Sequence, residues 1–178
     1  MSYDKERGKR EVETGIFGQV VDAFSSVAGW NVTDDWDGEA EQIEGSPDAI
    51  VGRDGRPFGV ELTEIRDTED AENYIAEAYR LAERKSASYS RRGLFKFPIA
   101  LAMYSYSPPL FAIKKSLAAS VYQPDFEALG FSEIWAFDFS DEYYSAFDPR
   151  RPADVFCFKP APLFGFARAA IGDRKPFG

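Results

Sequence analysis

The chain has 178 residues, of which 44% are hydrophobic and 16% aromatic, so it can build one domain around a single core and is not a disordered chain. Its formal net charge is -9, from 30 acidic and 21 basic residues, which excludes a uniformly basic nucleic-acid-binding surface. The absence of histidine and the single cysteine, Cys157, exclude a Ser-His-Asp or Cys-His catalytic group, a histidine-containing zinc site and an internal disulfide.

The first half of the chain predicts a helix, a hairpin and a second helix. Apolar residues recur at helical spacing over about 9–28, and residues 31–43 are either a first short strand or a loop. Two strands follow over 49–51 and 58–65, joined by a turn with Asp-Gly chemistry. The second helix is predicted over about 69–89, with Lys85 close to its buried stripe.

The second half predicts further strands and helices. The predicted elements are a strand over 97–104, a helix over 111–122, a turn at 125–129, strands over 133–139 and 153–158, and a short helix over 164–171. Helices that interleave with strands in this order predict an α/β or α+β fold, in which helices flank a mixed central sheet. We expect residues 1–178 to form a single domain.

Two carboxylates in the hairpin stand out. Asp48 begins the first arm and Glu61 lies inside the second, where strand alternation puts it on the same face as Thr63. A buried carboxylate is costly unless it is paired, so Glu61 is either part of a functional site, or pairs with Arg66 or Lys85, or lies on an exposed face of the sheet. With no histidine present, oxygen ligands are what the chain can offer a metal, and they suit Mg²⁺ or Mn²⁺.

The run Pro47-Asp48, a glycine-containing turn and Glu61-Leu62-Thr63 on the next strand resemble the PD-(D/E)XK nuclease superfamily, which includes restriction endonucleases and junction resolvases. The predicted order of helix, strand meander, helix and strand over 9–104 is similar to the core of that superfamily. Residues 105–178 would then be a C-terminal elaboration of the same domain. The resemblance implies divalent-metal-dependent hydrolysis of phosphodiester bonds in nucleic acid, with Mg²⁺ or Mn²⁺ as the cofactor.

The resemblance also implies which residues hold the metal. Asp48 and Glu61 would be the carboxylate ligands, and the main-chain carbonyl of Leu62 would be a third. Members of the superfamily often add a glutamate from the first helix, for which Glu13 is the better candidate and Glu11 the reserve.

The catalytic lysine of the motif is missing, because Thr63 stands in its place. In some members of the superfamily the lysine has moved to the following helix, and Lys85 is placed to reach back from there. The alternative is a catalytically inactive binding or regulatory module on the same fold, which would act through protein contacts with a basic partner. A third reading is an unrelated α/β protein in which Asp48 and Glu61 point to opposite faces.

The expected partners follow from these readings. Residues 80–96 carry six Lys and Arg against one acid and are either a local contact for nucleic acid or a solvated helix end. Many such nucleases form homodimers. The charged start of the chain lacks the apolar core of a signal peptide, and no apolar run reaches the length of a membrane span, so we expect a cytoplasmic protein with no membrane partner.

Overall fold

The computed structural model describes residues 16–18, 20–22, 24–25, 28–33, 47–65, 74–105, 124–138, 153–160 and 163–167. Several predicted features, namely Glu11, Glu13, Arg66 and the helix over 111–122, lie outside the described residues. In the described part of the chain, no helix is both long and apolar enough to cross a membrane.

Seven strands of the described chain form one mixed sheet, in which they follow each other in sequence order. The strands are β1 (Val32–Thr33), β2 (Ala49–Arg53), β3 (Arg56–Glu64), β4 (Ile99–Ser105), β5 (Glu133–Asp138), β6 (Ala153–Lys159) and β7 (Leu163–Ala167). The pairs β3–β4 and β4–β5 are parallel, and the remaining neighbours are antiparallel. The fold is therefore α+β with a mixed sheet.

The predicted hairpin is confirmed by β2 and β3, whose arms extend to the turn itself. Asp54 and Gly55 both have positive φ, 50° and 74°, which is what a two-residue type I′ turn requires and what Asp-Gly supplies readily. The register places Ala49 opposite Val60, so that Asp48 enters the hairpin beside the strand that carries Glu61.

The long helix runs over Tyr74–Arg92 and ends three residues later than its apolar stripe predicts. Gly93 follows it with a φ of 64°, and the amide of Leu94 donates to the carbonyl of Tyr89 at 3.0 Å. This is the bonding of a Schellman motif, in which a left-handed glycine closes the helix. The glycine, not the last stripe residue, determines where this helix ends.

The sheet separates two apolar cores. Residues 16–18, 20–22 and 24–25 are helical, and Ile16 and Phe24 pack with Val60 and Leu62 of β3 in the first core. On the opposite face, the second core joins the long helix to the other side of β4, with members that include Ala78, Leu81, Tyr89, Leu101 and Phe131. Because neighbouring strand residues face opposite cores, Glu61 points toward the long helix.

The remaining strand predictions hold, and one prediction is wrong. The strands β4, β5 and β6 match the predicted strands. Of the two predictions for residues 31–43, a short strand or a loop, the strand is present as β1. The predicted turn is a 3-10 turn over Phe126–Ala128. The short helix predicted over 164–171 is instead the strand β7, which pairs antiparallel with β6. Hydrogen bonding to the backbone of β6 outweighs the weak local helix pattern.

Candidate functional site

Glu61 lies near the middle of β3, between β2 and β4, where the sheet is covered on both faces. Its Cα pairs with Leu101 in β4, and only 6% of the residue is exposed. A carboxylate in this position loses most of its hydration, so it needs donors from the protein to remain ionised. The long helix provides these donors.

Two residues of the long helix bind the two oxygens of Glu61. Lys85 forms an ion pair and hydrogen bond through Nζ to Oε1, and the hydroxyl of Tyr89 donates to Oε2. Lys85 and Tyr89 are four positions apart, which places them one above the other on the same helix face. The carboxylate is thus held by a pair of donors of different kinds, one cationic and one neutral.

Asp48 supplies a second carboxylate to this region. Its Oδ2 accepts a hydrogen bond of 2.7 Å from the amide of Leu62, the residue that follows Glu61. Burial is the main reason why the pKa of Glu61 is raised, and the negative charge of Asp48 raises that pKa further. Asp48 and Glu61 are therefore close enough for their negative charges to repel each other.

The hydrogen bonds from Lys85 and Tyr89 act in the opposite direction and lower the pKa of Glu61. Burial raises the pKa of Tyr89, and its hydrogen bond to Glu61 raises that pKa further, so the phenol keeps its proton and remains a donor. The ring of Tyr89 lies 5.4 Å from that of Phe95 and 5.5 Å from that of Phe131 between centroids. Tyr89 is only 5% exposed, whereas the side chain of Lys85 is 31% exposed.

The oxygen donors fit a hard divalent cation. Mg²⁺ is commonly bound through one or two carboxylates, with water and substrate phosphate completing its octahedral shell. Asp48 and Glu61 supply two carboxylates, and among the described residues no group of three or more His, Cys, Asp or Glu side chains forms a fuller metal cage. Asp48 and Glu61 are therefore the described residues that could hold such an ion.

The structure contains a second buried glutamate that the sequence reasoning missed. Glu133, at the start of β5, is 5% exposed; it accepts from Arg53 Nη1 at Oε1 and from Trp135 Nε1 at Oε2, the latter at 3.0 Å. The Arg53 guanidinium lies 3.4 Å from the ring centroid of Trp30 and 4.8 Å from that of Phe58. Burial raises the pKa of Glu133, and the hydrogen bonds from Trp135 and Arg53 lower it.

The structure brings Asp48, Glu61 and Lys85 together, and adds the amide of Leu62 as the partner of Asp48. Thr63 is half-buried on β3, and the cation near Glu61 comes from the helix instead of from that position. Glu13, the remaining predicted metal ligand, lies outside the described residues.

The hydrogen bond from Tyr89 was not predicted from the sequence, in which this tyrosine has the pattern of a packing residue. Its spacing of four from Lys85 was the signal that could have identified it, since two residues on one helix face can reach the same strand residue.

Comparisons with protein-family models, with curated proteins and with solved structures find no match to this chain.

Proposed function

We propose that this chain is a divalent-metal-dependent nuclease of the PD-(D/E)XK kind, with a restriction-endonuclease-like core and a migrated lysine. The observation that carries the proposal is the convergence of Glu61 of β3, Asp48 just before β2 and Lys85 of the following helix. This is the arrangement that the resemblance implies when Thr63 replaces the lysine of the motif.

The order of the elements supports the same proposal. Helical residues near the start of the chain precede the meander β1–β2–β3, and the long helix then leads to β4, which lies parallel to β3. A helix, a strand meander, a helix and a strand are the core elements that the resemblance implies. Glu61 lies on β3, a strand that has a neighbour on each side, and Asp48 lies just before β2, the neighbouring strand of the hairpin.

In the proposed reaction Asp48 and Glu61 hold Mg²⁺, which would neutralise charge on the phosphate and lower the pKa of a bound water. Lys85 supplies a positive charge to the negative oxygens that develop on the phosphate during hydrolysis. Burial beneath the long helix keeps Glu61 away from bulk water, which strengthens its electrostatic interactions.

The exposed side of the long helix supplies positive charge for the nucleic-acid backbone. Arg84, Arg91 and Arg92 are all exposed, and Arg92 lies close enough to lower the pKa of Tyr89 beside the site. A phosphate backbone that follows these arginines gains affinity through release of counterions. The negative net charge of the whole chain argues against a broadly basic surface, which favours a local contact of this kind.

Mg²⁺-dependent cleavage of supercoiled plasmid and of end-labelled single- and double-stranded DNA and RNA tests the proposal. Glu61→Gln should abolish cleavage, because it removes a metal ligand while keeping the shape of the side chain. Glu133→Gln is the matched control, since it makes the same substitution at an equally buried position, and it should retain activity. Equal cleavage by wild type and Glu61→Gln would contradict the proposal, as would cleavage that does not depend on the metal.

A second candidate function is a catalytically inactive binding module. The specific observation in its favour is that Lys85 and Tyr89 already provide a donor for each oxygen of Glu61, which a purely structural ion pair also requires. For this candidate, isothermal titration with Mn²⁺ at millimolar concentration should give no binding, and wild type and Glu61→Gln should behave alike.

A further inference from the structure

The donors on the two oxygens of Glu61 differ in how easily they can leave. Lys85 reaches Oε1 through a flexible four-carbon stem, and its side chain is 31% exposed, so it can turn toward solvent without opening the core. Tyr89 reaches Oε2 from a buried ring that packs between Phe95 and Phe131. A movement of Tyr89 would disturb these aromatic contacts, whereas a movement of Lys85 would not.

The helix that carries both donors is fixed in place near the site. Ser86, the residue after Lys85, is buried, and its hydroxyl accepts a hydrogen bond of 2.9 Å from the amide of Gly130. The rearrangement available to this site is therefore a change in the Lys85 side chain, and not a shift of the helix.

A divalent cation and the Lys85 ammonium cannot share Oε1 favourably, because two positive groups on one oxygen repel each other at short distance. Resting on the proposed function, we propose that Lys85 and the metal ion compete for Oε1 of Glu61, while Tyr89 stays on Oε2 as the residue that positions the carboxylate. Binding of the ion displaces Lys85 from Glu61. The released ammonium then lies at the solvent side of the site, where it is available to a substrate phosphate.

This competition predicts effects of opposite sign for two neighbouring variants. Lys85→Met removes the competitor and should tighten Mn²⁺ binding on the order of tenfold, a typical size for coupling between two ligands. Tyr89→Phe removes the positioning hydrogen bond and should weaken Mn²⁺ binding by roughly tenfold, as loss of an outer-shell partner does. A purely structural role for Lys85 predicts no tighter binding in any variant.

The experiment measures Mn²⁺ affinity of the full chain by isothermal titration and electron paramagnetic resonance, without nucleic acid, for wild type and for both variants. Arg53→Met is the matched control, because it removes the cation from the other buried pair, and its Mn²⁺ affinity should equal that of wild type. Circular dichroism establishes that each variant is folded.

A second measurement needs no variant. The rate at which acetic anhydride acetylates Lys85 in the wild-type chain should rise several-fold when Mn²⁺ is added, whereas that of the exposed Lys96 should not change. Mass spectrometry of peptides reports the two lysines separately.

The outcomes separate the two proposals. Unchanged or weaker Mn²⁺ binding by Lys85→Met, or unchanged acetylation of Lys85, overturns the competition but leaves the metal site intact, provided that wild type binds Mn²⁺ and Glu61→Gln does not. An absence of binding in wild type and in Lys85→Met alike overturns the proposed metal site, and the competition with it.

Discussion

Glu61 and Glu133 are two buried glutamates of the same sheet, with almost the same exposure and the same kind of partners. Each is bound at one oxygen by a cationic side chain and at the other by an aromatic residue, through a Tyr hydroxyl in one case and a Trp N–H in the other. Burial raises the pKa of both. Burial and an ion pair therefore cannot by themselves identify a functional carboxylate.

The two sites differ in the mobility of the cation and in the neighbouring charge. Arg53 is stacked over Trp30, which fixes the guanidinium, whereas Lys85 carries its charge on a flexible stem. The charge of Asp48 raises the pKa of Glu61, while no contribution to the shift of Glu133 comes from another carboxylate of the described residues. These differences are the reason why we propose a functional site at Glu61 and interpret Glu133 as a structural ion pair.

The largest expected effect is on folding stability. Arg53→Met should lower the free energy of unfolding by about 3–5 kcal/mol, because it leaves Glu133 buried without its cation and removes the stacking on Trp30. Lys85→Met should cost less, since Arg53 lies over the rings of Trp30 and Phe58 in addition to its ion pair, and these contacts are lost only in Arg53→Met. Urea denaturation measures both values. An equal cost for the two variants would break the distinction between a fixed and a mobile cation.

The next effect concerns the second carboxylate. Asp48→Asn should lower Mg²⁺-dependent cleavage by at least about 100-fold, because loss of a proposed metal ligand should cost no less than loss of an outer-shell partner, which costs about 10–100-fold. The Asn carbonyl oxygen can still accept from the amide of Leu62, so the free energy of unfolding should stay close to that of wild type. Cleavage assays at saturating Mg²⁺ test this, with Glu133→Gln as the control that retains activity. Full activity of Asp48→Asn would remove the main reason for proposing a functional site at Glu61 and not at Glu133.

The third effect is on how stability depends on pH. A raised pKa means that the folded chain holds the proton of Glu61 more tightly than the unfolded chain does. Below the ordinary pKa of about 4.5, this tighter binding contributes to the free energy of unfolding. The contribution is ~1.4 kcal/mol for each unit by which the folded pKa exceeds the unfolded one, and it is lost as pH rises through the folded pKa.

As pH rises over that range, the free energy of unfolding should fall less in Glu61→Gln and in Glu133→Gln than in wild type. Asp48→Asn should also flatten the profile, because Asp48 raises the pKa of Glu61 but contributes nothing to that of Glu133. Urea denaturation in steps of pH from 4 upward measures the slopes. If the double variant Asp48→Asn with Glu61→Gln were flatter than Glu61→Gln alone, Asp48 would be acting through another group.

The smallest expected effect is on binding of nucleic acid. Replacing Arg91 and Arg92 together by Ala should weaken binding of a fluorescent DNA oligonucleotide, tested in Ca²⁺ to prevent cleavage. The slope of log affinity against log salt should become less negative by about one for each phosphate that an arginine no longer neutralises. Arg80→Ala is the control, because Arg80 pairs with Glu77 and should contribute little to the slope. An unchanged slope in the double variant would assign the arginines to a solvated helix end.

The sequence was sufficient to predict the hairpin and to bring Lys85 of the next helix near Glu61. Asp54-Gly55 fixed the turn, strand alternation oriented Glu61, and the apolar stripe of the long helix placed Lys85 on the inward side. These are short-range signals, in which each residue is located by its near neighbours. They locate three of the proposed site residues because all of these lie between Asp48 and the end of the next helix.

Features that depend on long-range pairing could not be predicted in this way. Arg53 and Glu133 are 80 positions apart and meet only because β5 lies parallel to β4 in a particular register. The same limit explains the tail, where pairing with β6 converts a predicted helix into β7. The hydrogen bond from Tyr89 to Glu61 was not predicted for a different reason. A buried tyrosine packs its ring and donates its hydroxyl at the same time, so a packing pattern in the sequence does not reveal the hydrogen bond.

A crystal soaked in Mn²⁺ tests the central claim most directly, because Glu61 and Glu133 are compared in the same molecule by anomalous scattering. We expect an anomalous peak between Asp48 and Glu61, about 2.1 Å from carboxylate oxygens, and none beside Glu133. The absence of a peak at Asp48 and Glu61, with Lys85 still bound to Glu61, would contradict it.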